Sequence, residues 1–106
     1  MHHISAIALK QQLDENEKQP LLLDVREPWE FALCKIEGSS LVPMSKITHA
    51  INDYNREQAI VVVCHTGVRS RSVCMFLERE GFQNVSNLEG GVHAWAMDVD
   101  NTMPTY

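Results

Sequence analysis

The sequence predicts an α/β protein in which a mostly parallel sheet is covered by helices on both faces. Short apolar runs alternate along the 106-residue chain with segments of helix-like pattern. The run at residues 59–64, AIVVVC, is rich in β-branched residues and has no polar alternation. That pattern is typical of a strand buried on both faces, which is how parallel strands lie. Because a parallel pair needs a crossover between its strands, the alternation of strands and helices favours this architecture.

Local signals place each element in order. Ser5 and Ser45 are suitable N-caps, Pro28 falls near the first position of a short helix, and Gly81 is a C-terminal stop. Helices are expected at residues 6–15, 27–31, 45–54, 70–80 and 92–97. Strands are expected at residues 21–25, 41–44 (broken by Pro43), 59–64 and 84–88.

Composition and charge exclude several classes of function. Nine Lys and Arg against fourteen Asp and Glu give a formal net charge of −5. Nucleic acids and anionic membranes attract an excess of positive charge, so neither is an expected partner. The longest strongly apolar run has six residues, whereas a membrane-spanning helix needs roughly twenty. The first residues lack a secretory signal pattern. We therefore expect one domain over residues 1–106, in the cytoplasm, and give His2 and His3 no role.

The three cysteines are Cys34, Cys64 and Cys74, at spacings of 30 and 10 residues. An odd number at these spacings does not suggest a disulfide framework, and thiols in a cytoplasm stay reduced. At least one of them is therefore a candidate for chemistry. Together with His49 and His93 they show no metal-ligand spacing, so no metal site is expected.

The residues after the clearest strand carry the strongest chemical signal. Active sites in parallel α/β sheets lie beyond the carboxyl ends of the strands, and Cys64 stands there. A short loop can point several backbone N–H groups at its sulfur, and Gly67 permits the positive φ that such a cradle usually needs. The following helix N-terminus, Arg69 and Arg71 add positive charge, which favours the thiolate. Ser70 can cap the helix and fix the loop.

Such a cradle can hold an oxyanion, or a persulfide anion on Cys64 itself, because amide N–H groups stabilise either one. The alternative is that Cys64 is a buried and inert strand residue, as cysteine often is. The glycine, the two arginines and the helix start that follow it favour a reactive thiol.

Three segments of the chain form a recognisable set. They are Leu23-Asp24-Val25-Arg26 with Glu30-Phe31; the loop Cys64-His65-Thr66-Gly67-Val68-Arg69; and Gly81-Phe82, Val85, Leu88, Gly90-Gly91 and Trp95. In this order and spacing, over about residues 4–97, they resemble the signatures of the single-domain rhodaneses, the thiosulfate sulfurtransferase family. Residues 98–106 follow as a tail.

The resemblance implies a five-stranded parallel sheet flanked by helices, and a double-displacement reaction through a Cys64 persulfide. A small donor such as thiosulfate would load the sulfur, and cyanide, a thiol or a protein would accept it. No metal and no organic cofactor is implied. By motif position, Arg69 carries over as the side chain that binds the anion. The residues that carry over as the persulfide cradle are His65, Thr66, Gly67, Val68 and Arg69.

Other residues near the motifs admit two interpretations. Asp24, Arg26 and Glu30 are either catalytic or, as we favour, a structural ion-pair group beneath the loop, because charges at a buried strand end need partners. Cys34 stands where the family commonly has glycine. It is either a harmless substitution, which we favour, or a resolving thiol for Cys64.

Two other functions are alternatives to catalytic sulfur transfer. The chain is alternatively a carrier or binding module whose Cys64 is loaded by a partner protein. A phosphatase or arsenate reductase of related fold ranks lowest, since such enzymes need an Arg at the sixth position after the cysteine, where this chain has Ser70.

Overall fold

The computed structural model describes residues 1–15 and 18–106 and confirms the predicted α/β architecture. The strands are β1 (His2–Ile4), β2 (Leu21–Asp24), β3 (Ser40–Leu41), β4 (Ile60–Val63) and β5 (Val85–Leu88). They form one five-stranded sheet in the order β1-β5-β4-β2-β3, and each neighbouring pair is parallel. The strand β4, which carries the β-branched run, therefore lies in the middle of the sheet.

Helices cover both faces of this sheet. They are α1 (Ala6–Glu15), α2 (Pro28–Leu33), α3 (Ile47–Ala50), α4 (Val68–Arg79) and α5 (Gly91–Asp98). Leu22 and Val61 point to one face and join a core cluster with residues of α1 and α5, whereas Leu23 and Val62 point to the other face and pack with residues of α3 and α4. No helix in the described part of the chain is long and apolar enough to cross a membrane.

The first strand was not predicted from the residue pattern. β1 is an edge strand whose His2 and His3 pair with Ser86 and Asn87 of β5. Its side chains are mostly exposed, so it has no apolar pattern that could have predicted it. The cap that follows it was predicted correctly, since the Ala8 N–H donates to Ser5 Oγ at 3.1 Å.

The segment around Pro43 differs from the prediction. The strand ends at Leu41 rather than at residue 44, because Pro43 has no N–H to continue the ladder. Ser45 is not a cap. It lies inside a 3₁₀ turn, Met44–Lys46, which begins after Pro43. The expected helix over residues 45–54 is instead this turn, the one-turn α3 and a second 3₁₀ turn, Ile51–Asp53.

Candidate active site

The carboxyl ends of the three central strands bring two predicted site residues, Cys64 and Asp24, together with Asn87, which was not predicted. Cys64 directly follows β4, Asp24 ends the neighbouring β2, and Asn87 lies on β5 at the other side. The helix α4 begins four residues after the cysteine, at Val68. The site predicted from the strand ends is therefore assembled at one edge of the sheet.

Four residues at this edge form a closed ring of hydrogen bonds, which we call the neutral ring: Cys64, Ser70, Asn87 and Gly67. The Cys64 thiol donates to Ser70 Oγ at 3.2 Å, and the Ser70 hydroxyl donates to Asn87 Oδ1. Asn87 Nδ2 donates to the Gly67 carbonyl oxygen at 3.2 Å. The Gly67 N–H donates to Cys64 Sγ at 3.0 Å and completes the ring. Uncharged groups thus hold the sulfur, and the amide donor can stabilise negative charge on it.

Ser70 acts differently from the prediction. Helix α4 has Gly67 at its N-cap position, in the left-handed conformation, and has no side-chain cap. Because the helix begins earlier than expected, Ser70 falls inside its first turn and is fully buried. There its hydroxyl faces the sulfur instead of a free helix N–H.

Two glycines allow the loop to adopt this shape. Gly67 has φ +100°, as predicted, and a Cβ there would also lie 3.2 Å from the Gly90 backbone nitrogen. Gly91 has φ +57°, and a Cβ on it would collide with the Cys64 carbonyl oxygen. Both positions therefore require glycine, one for the turn and the other for the close approach of α5 to the loop.

Helix α5 holds the loop through its backbone. The Val92 N–H donates to the Cys64 carbonyl oxygen at 2.9 Å, and the His93 N–H donates to the His65 carbonyl oxygen at 3.0 Å. We predicted several N–H groups on the sulfur. Among the described residues one, that of Gly67, lies within hydrogen-bond distance of it. The N–H groups of α5 fix the position of the loop instead.

A second group of side chains lies beside the loop, and we call Asp24, Arg26, Glu30 and Arg69 the charged cluster. Arg69 is bound by both oxygens of Glu30, at 2.6 and 2.7 Å. The Arg69 pair, opposed by burial, holds the pKa of the Glu30 carboxyl at about 2, and Glu30 in turn raises the pKa of Arg69 above its ordinary value. Arg69, expected to bind the anion, thus links the loop to α2.

Arg26 and Asp24 form the buried half of this cluster, and both are 0% exposed. Arg26 Nε and Nη2 donate to the two oxygens of Asp24 at 2.9 and 2.7 Å. Arg26 Nη2 also donates to the Cys34 carbonyl oxygen at 2.7 Å. Burial lowers the pKa of Arg26, but its bonds to Asp24 and Tyr106 outweigh this effect and raise it. None of these bonds reaches the sulfur, which fits the predicted structural role.

Two residues of the site were missed by the sequence analysis. Asn87 is one of two polar residues in the four-residue strand β5, VSNL, so its burial had no distinct signal in the sequence. Tyr106 lies in the tail, and its ring stacks on His65 with centroids 3.9 Å apart and planes 8° from parallel. Nothing in the local pattern of the tail indicates that it folds back to the loop.

The other two cysteines lie outside the neutral ring. Burial, with the nearby charge of Glu78, raises the pKa of the Cys74 thiol to about 12, so this residue stays a thiol at neutral pH. It is packed in the core, as predicted. Arg26 Nη1 lies 3.8 Å from Cys34 Sγ, and all three cysteines are free. Over residues 1–15 and 18–106, no cluster of His, Cys, Asp and Glu is suited to a metal ion.

The remaining loop side chains point outward. Thr66 is exposed, and Val68 is 72% exposed. Arg71 is also exposed and does not take the place of a loop arginine. Ser70 occupies the sixth position after Cys64 and is buried in the neutral ring, so the loop lacks the arginine that an oxyanion-binding phosphatase loop needs there.

Comparisons with known proteins agree with the fold and the motifs. The family model for the rhodanese-like domain matches residues 5–98. A sulfurtransferase of Allochromatium vinosum is 33% identical over 96 residues, which are 91% of this chain and 89% of that protein. The putative sulfur carrier protein YrkF of Bacillus subtilis is 33% identical over 92 residues, which are 87% of this chain and 49% of that protein. A crystal structure of a rhodanese-like domain protein from Staphylococcus aureus superimposes with a TM-score of 0.85 at 35% identity, covering 100% of this chain and 99% of that one. The chain therefore belongs to the rhodanese-like domain family, and its relatives include proteins named as a sulfurtransferase and as a putative sulfur carrier.

Proposed function

We propose that the protein is a thiosulfate sulfurtransferase that works through a persulfide on Cys64. The observation that supports this most directly is the neutral ring, in which the Gly67 N–H and the Ser70 hydroxyl contact the Cys64 sulfur at 3.0 and 3.2 Å. An amide donor placed on a sulfur at a strand end favours the anionic forms, thiolate and persulfide, that the reaction requires.

The reaction is a double displacement. The Cys64 thiol first loses its proton to solvent, and the thiolate attacks the outer sulfur of thiosulfate. The sulfur–sulfur bond of the donor breaks, sulfite leaves with the electron pair, and a new sulfur–sulfur bond forms on Cys64. A nucleophile such as cyanide, a small thiol or a protein thiol then attacks the outer sulfur and restores the thiolate. The reaction as written consumes no metal and no organic cofactor.

The loop residues divide this work among them. Gly67 supplies an N–H to the charge on sulfur. The Arg69 side chain is 35% exposed while it binds Glu30, and it remains our candidate for attracting an anionic donor. His65, Thr66 and Val68 form the remaining wall of the cradle through their backbone, since the side chains of Thr66 and Val68 point outward. Asp24, Arg26 and Glu30 keep this wall in place. The free thiols fit a reducing cytoplasm, where we place the reaction.

A sulfur carrier is the second candidate, and two observations favour it. YrkF, which carries the name of a putative sulfur carrier, aligns over most of this chain. Cys64 is also only 1% exposed, so a partner that opens the loop would load the sulfur more readily than a freely diffusing donor. In that case Cys64 accepts sulfur from a partner persulfide by the same exchange.

The proposal is tested by weighing the intact protein after incubation with thiosulfate. We expect a mass gain of one sulfur atom that cyanide reverses with release of thiocyanate. Cys64→Ser is expected to abolish the gain, and Cys74→Ser, which changes a buried thiol outside the ring, is expected to keep it. No gain with thiosulfate or other small donors, but a gain with a persulfide-bearing desulfurase, assigns the carrier function. No Cys64-dependent gain under any of these conditions refutes both.

A further inference from the structure

The last residues of the chain form a strap over one flank of the Cys64 loop. After α5 the chain turns back, and residues 104–106 line a small cavity together with Cys34, His65, Val92 and His93. Tyr106 makes the closest contacts, to the ring of His65 and to two members of the charged cluster. We propose that Tyr106 is a positioning residue of the active site, which sets the loop for sulfur transfer; this inference rests on the proposed function.

The ring of Tyr106 holds the residue next to the nucleophile. It stacks on His65 with centroids 3.9 Å apart. The ring of His65 also meets that of His93 edge to face, with centroids 6.3 Å apart, and the His65 carbonyl oxygen accepts the His93 N–H. His65 is thus held between the strap and α5. Because His65 follows Cys64 directly in the chain, holding His65 in place also fixes the backbone of Cys64.

The hydroxyl of Tyr106 joins the two ion pairs of the charged cluster. It donates to Glu30 Oε2 at 2.7 Å and accepts from Arg26 Nη1 at 3.0 Å. Burial raises the pKa of Tyr106 to about 12, so the hydroxyl keeps its proton at neutral pH. Glu30 is the partner of Arg69 at the far end of the loop. One side chain therefore contacts the loop directly at His65 and reaches Arg69 through Glu30.

A second aromatic contact orients the strap. Trp29 of α2 lies 5.9 Å from Tyr106, edge to face, and is 61% exposed. The strap is thus attached to α2 and to the loop through side chains, with no strand or helix of its own. A contact of this kind can be removed by one substitution without disturbing the sheet.

The test compares two variants with a matched control. Tyr106→Phe deletes the hydroxyl and keeps the stacked ring, whereas Tyr106→Ala deletes both. Tyr54→Phe removes the hydroxyl of the other tyrosine, which packs against the core on the other face of the sheet. Sulfur transfer from thiosulfate to cyanide gives kcat and KM for each protein.

We expect kcat to fall about fivefold in Tyr106→Phe, which loses the hydrogen bonds of the hydroxyl to two charged side chains, and about thirtyfold in Tyr106→Ala, which also loses the stacked ring that sets the loop. KM should change less than about threefold, because Tyr106 sets the loop and does not bind the donor. Tyr54→Phe is expected to match the wild type in both constants.

A second measurement reports whether the strap is docked in solution. Cys34 lies beneath the strap and is 8% exposed. Its alkylation by iodoacetamide, followed by peptide mass mapping, should be faster in Tyr106→Ala, while Cys74 in the core stays unreactive in both proteins. This readout does not depend on sulfur transfer.

The outcomes separate the inference from the proposed function. Equal alkylation of Cys34 in wild type and Tyr106→Ala shows an undocked strap and refutes the positioning role. Faster alkylation with unchanged kcat in both variants refutes it as well. If the wild type itself forms no persulfide with any small donor or partner, the proposed function fails first and the inference fails with it.

Discussion

The neutral ring and the charged cluster flank the same loop but stabilise it in different ways. The ring contacts the Cys64 sulfur through uncharged groups, the Gly67 N–H and the Ser70 hydroxyl. The cluster joins Arg26 to Asp24 and Arg69 to Glu30 and makes no bond to the sulfur. In the described part of the chain, no buried side-chain polar atom lacks a partner in either group.

In the proposed reaction, this division separates the groups that contact the reacting sulfur from the groups that support the loop. A fixed cation bound to the sulfur would stabilise the persulfide strongly and would slow its transfer to the acceptor. A neutral donor stabilises the anion and releases it more easily. The paired charges instead anchor the loop to α2 and to the end of β2, where their attraction is strong because water is excluded. Each of the following predictions changes one of the two groups.

The largest loss of stability is expected from Arg26→Met. It leaves Asp24, which is 0% exposed, without a cationic partner. Breaking a buried ion pair in this way costs about 3–5 kcal/mol, measured as the free energy of unfolding in urea. Lys10→Met is the control, since Lys10 pairs with Asp14 on the exposed face of α1. Its loss should cost less than about 0.5 kcal/mol. Equal losses in the two variants would show that burial does not strengthen the cluster.

A pH titration tests the other half of the cluster. The pKa of Glu30 is about 2 in the folded protein, against an ordinary value of 4.5. Because the folded value is depressed, the stability that Glu30 contributes is fully present above the ordinary pKa and is lost as the pH falls toward 2. Glu30→Gln lacks this contribution, so its unfolding free energy should fall less than that of the wild type between about pH 6 and pH 3.

The control for this titration is Asp14→Asn, which changes an exposed carboxylate on α1. Its stability should follow the wild-type dependence on pH. Parallel curves for wild type and Glu30→Gln would mean that the Glu30 carboxyl titrates normally, and that its bond to Arg69 does not hold the loop.

The same contrast explains how far the sequence could predict the site. Cys64 and Gly67 are three positions apart in the chain, and the end of a buried strand followed by glycine was enough to predict the candidate cysteine and the turn. The pairing of Arg69 with Glu30 spans 39 positions and involves two helices whose separation no local pattern gives. The prediction that Arg69 binds the anion came from the position of this residue in the motif, which gives no sign of the carboxylate that it pairs with in the fold.

Contacts between residues far apart in the sequence also account for the features that the sequence analysis missed. Tyr106 reaches Arg26 across 80 positions, and Asn87 reaches Ser70 across 17. β1 is an edge strand of three mostly exposed residues, and it exists because β5 offers it a ladder rather than because its sequence favours a strand. Central strands with apolar runs are predictable from their own residues; edges and tails depend on what they pack against.

The smallest change in stability is expected from a break in the neutral ring. In Ser70→Ala the Cys64 thiol loses its acceptor and Asn87 Oδ1 loses its donor. The cost is about 1 kcal/mol, because only neutral hydrogen bonds are lost. Ser72→Ala, on the exposed side of the same helix, is the control and should leave the stability unchanged.

The chemical effect of Ser70→Ala should exceed its effect on folding. The rate of Cys64 persulfide formation is expected to fall about tenfold, because the Ser70 hydroxyl, which accepts from the thiol, can turn and donate to the thiolate once the proton has left. The rate is measured by intact mass after short exposures to thiosulfate. The measurement is made under conditions in which a urea titration shows that the variant is folded. A variant that loses stability but forms the persulfide at the wild-type rate would place Ser70 with the supporting residues, and would leave the Gly67 N–H as the contact that serves the sulfur.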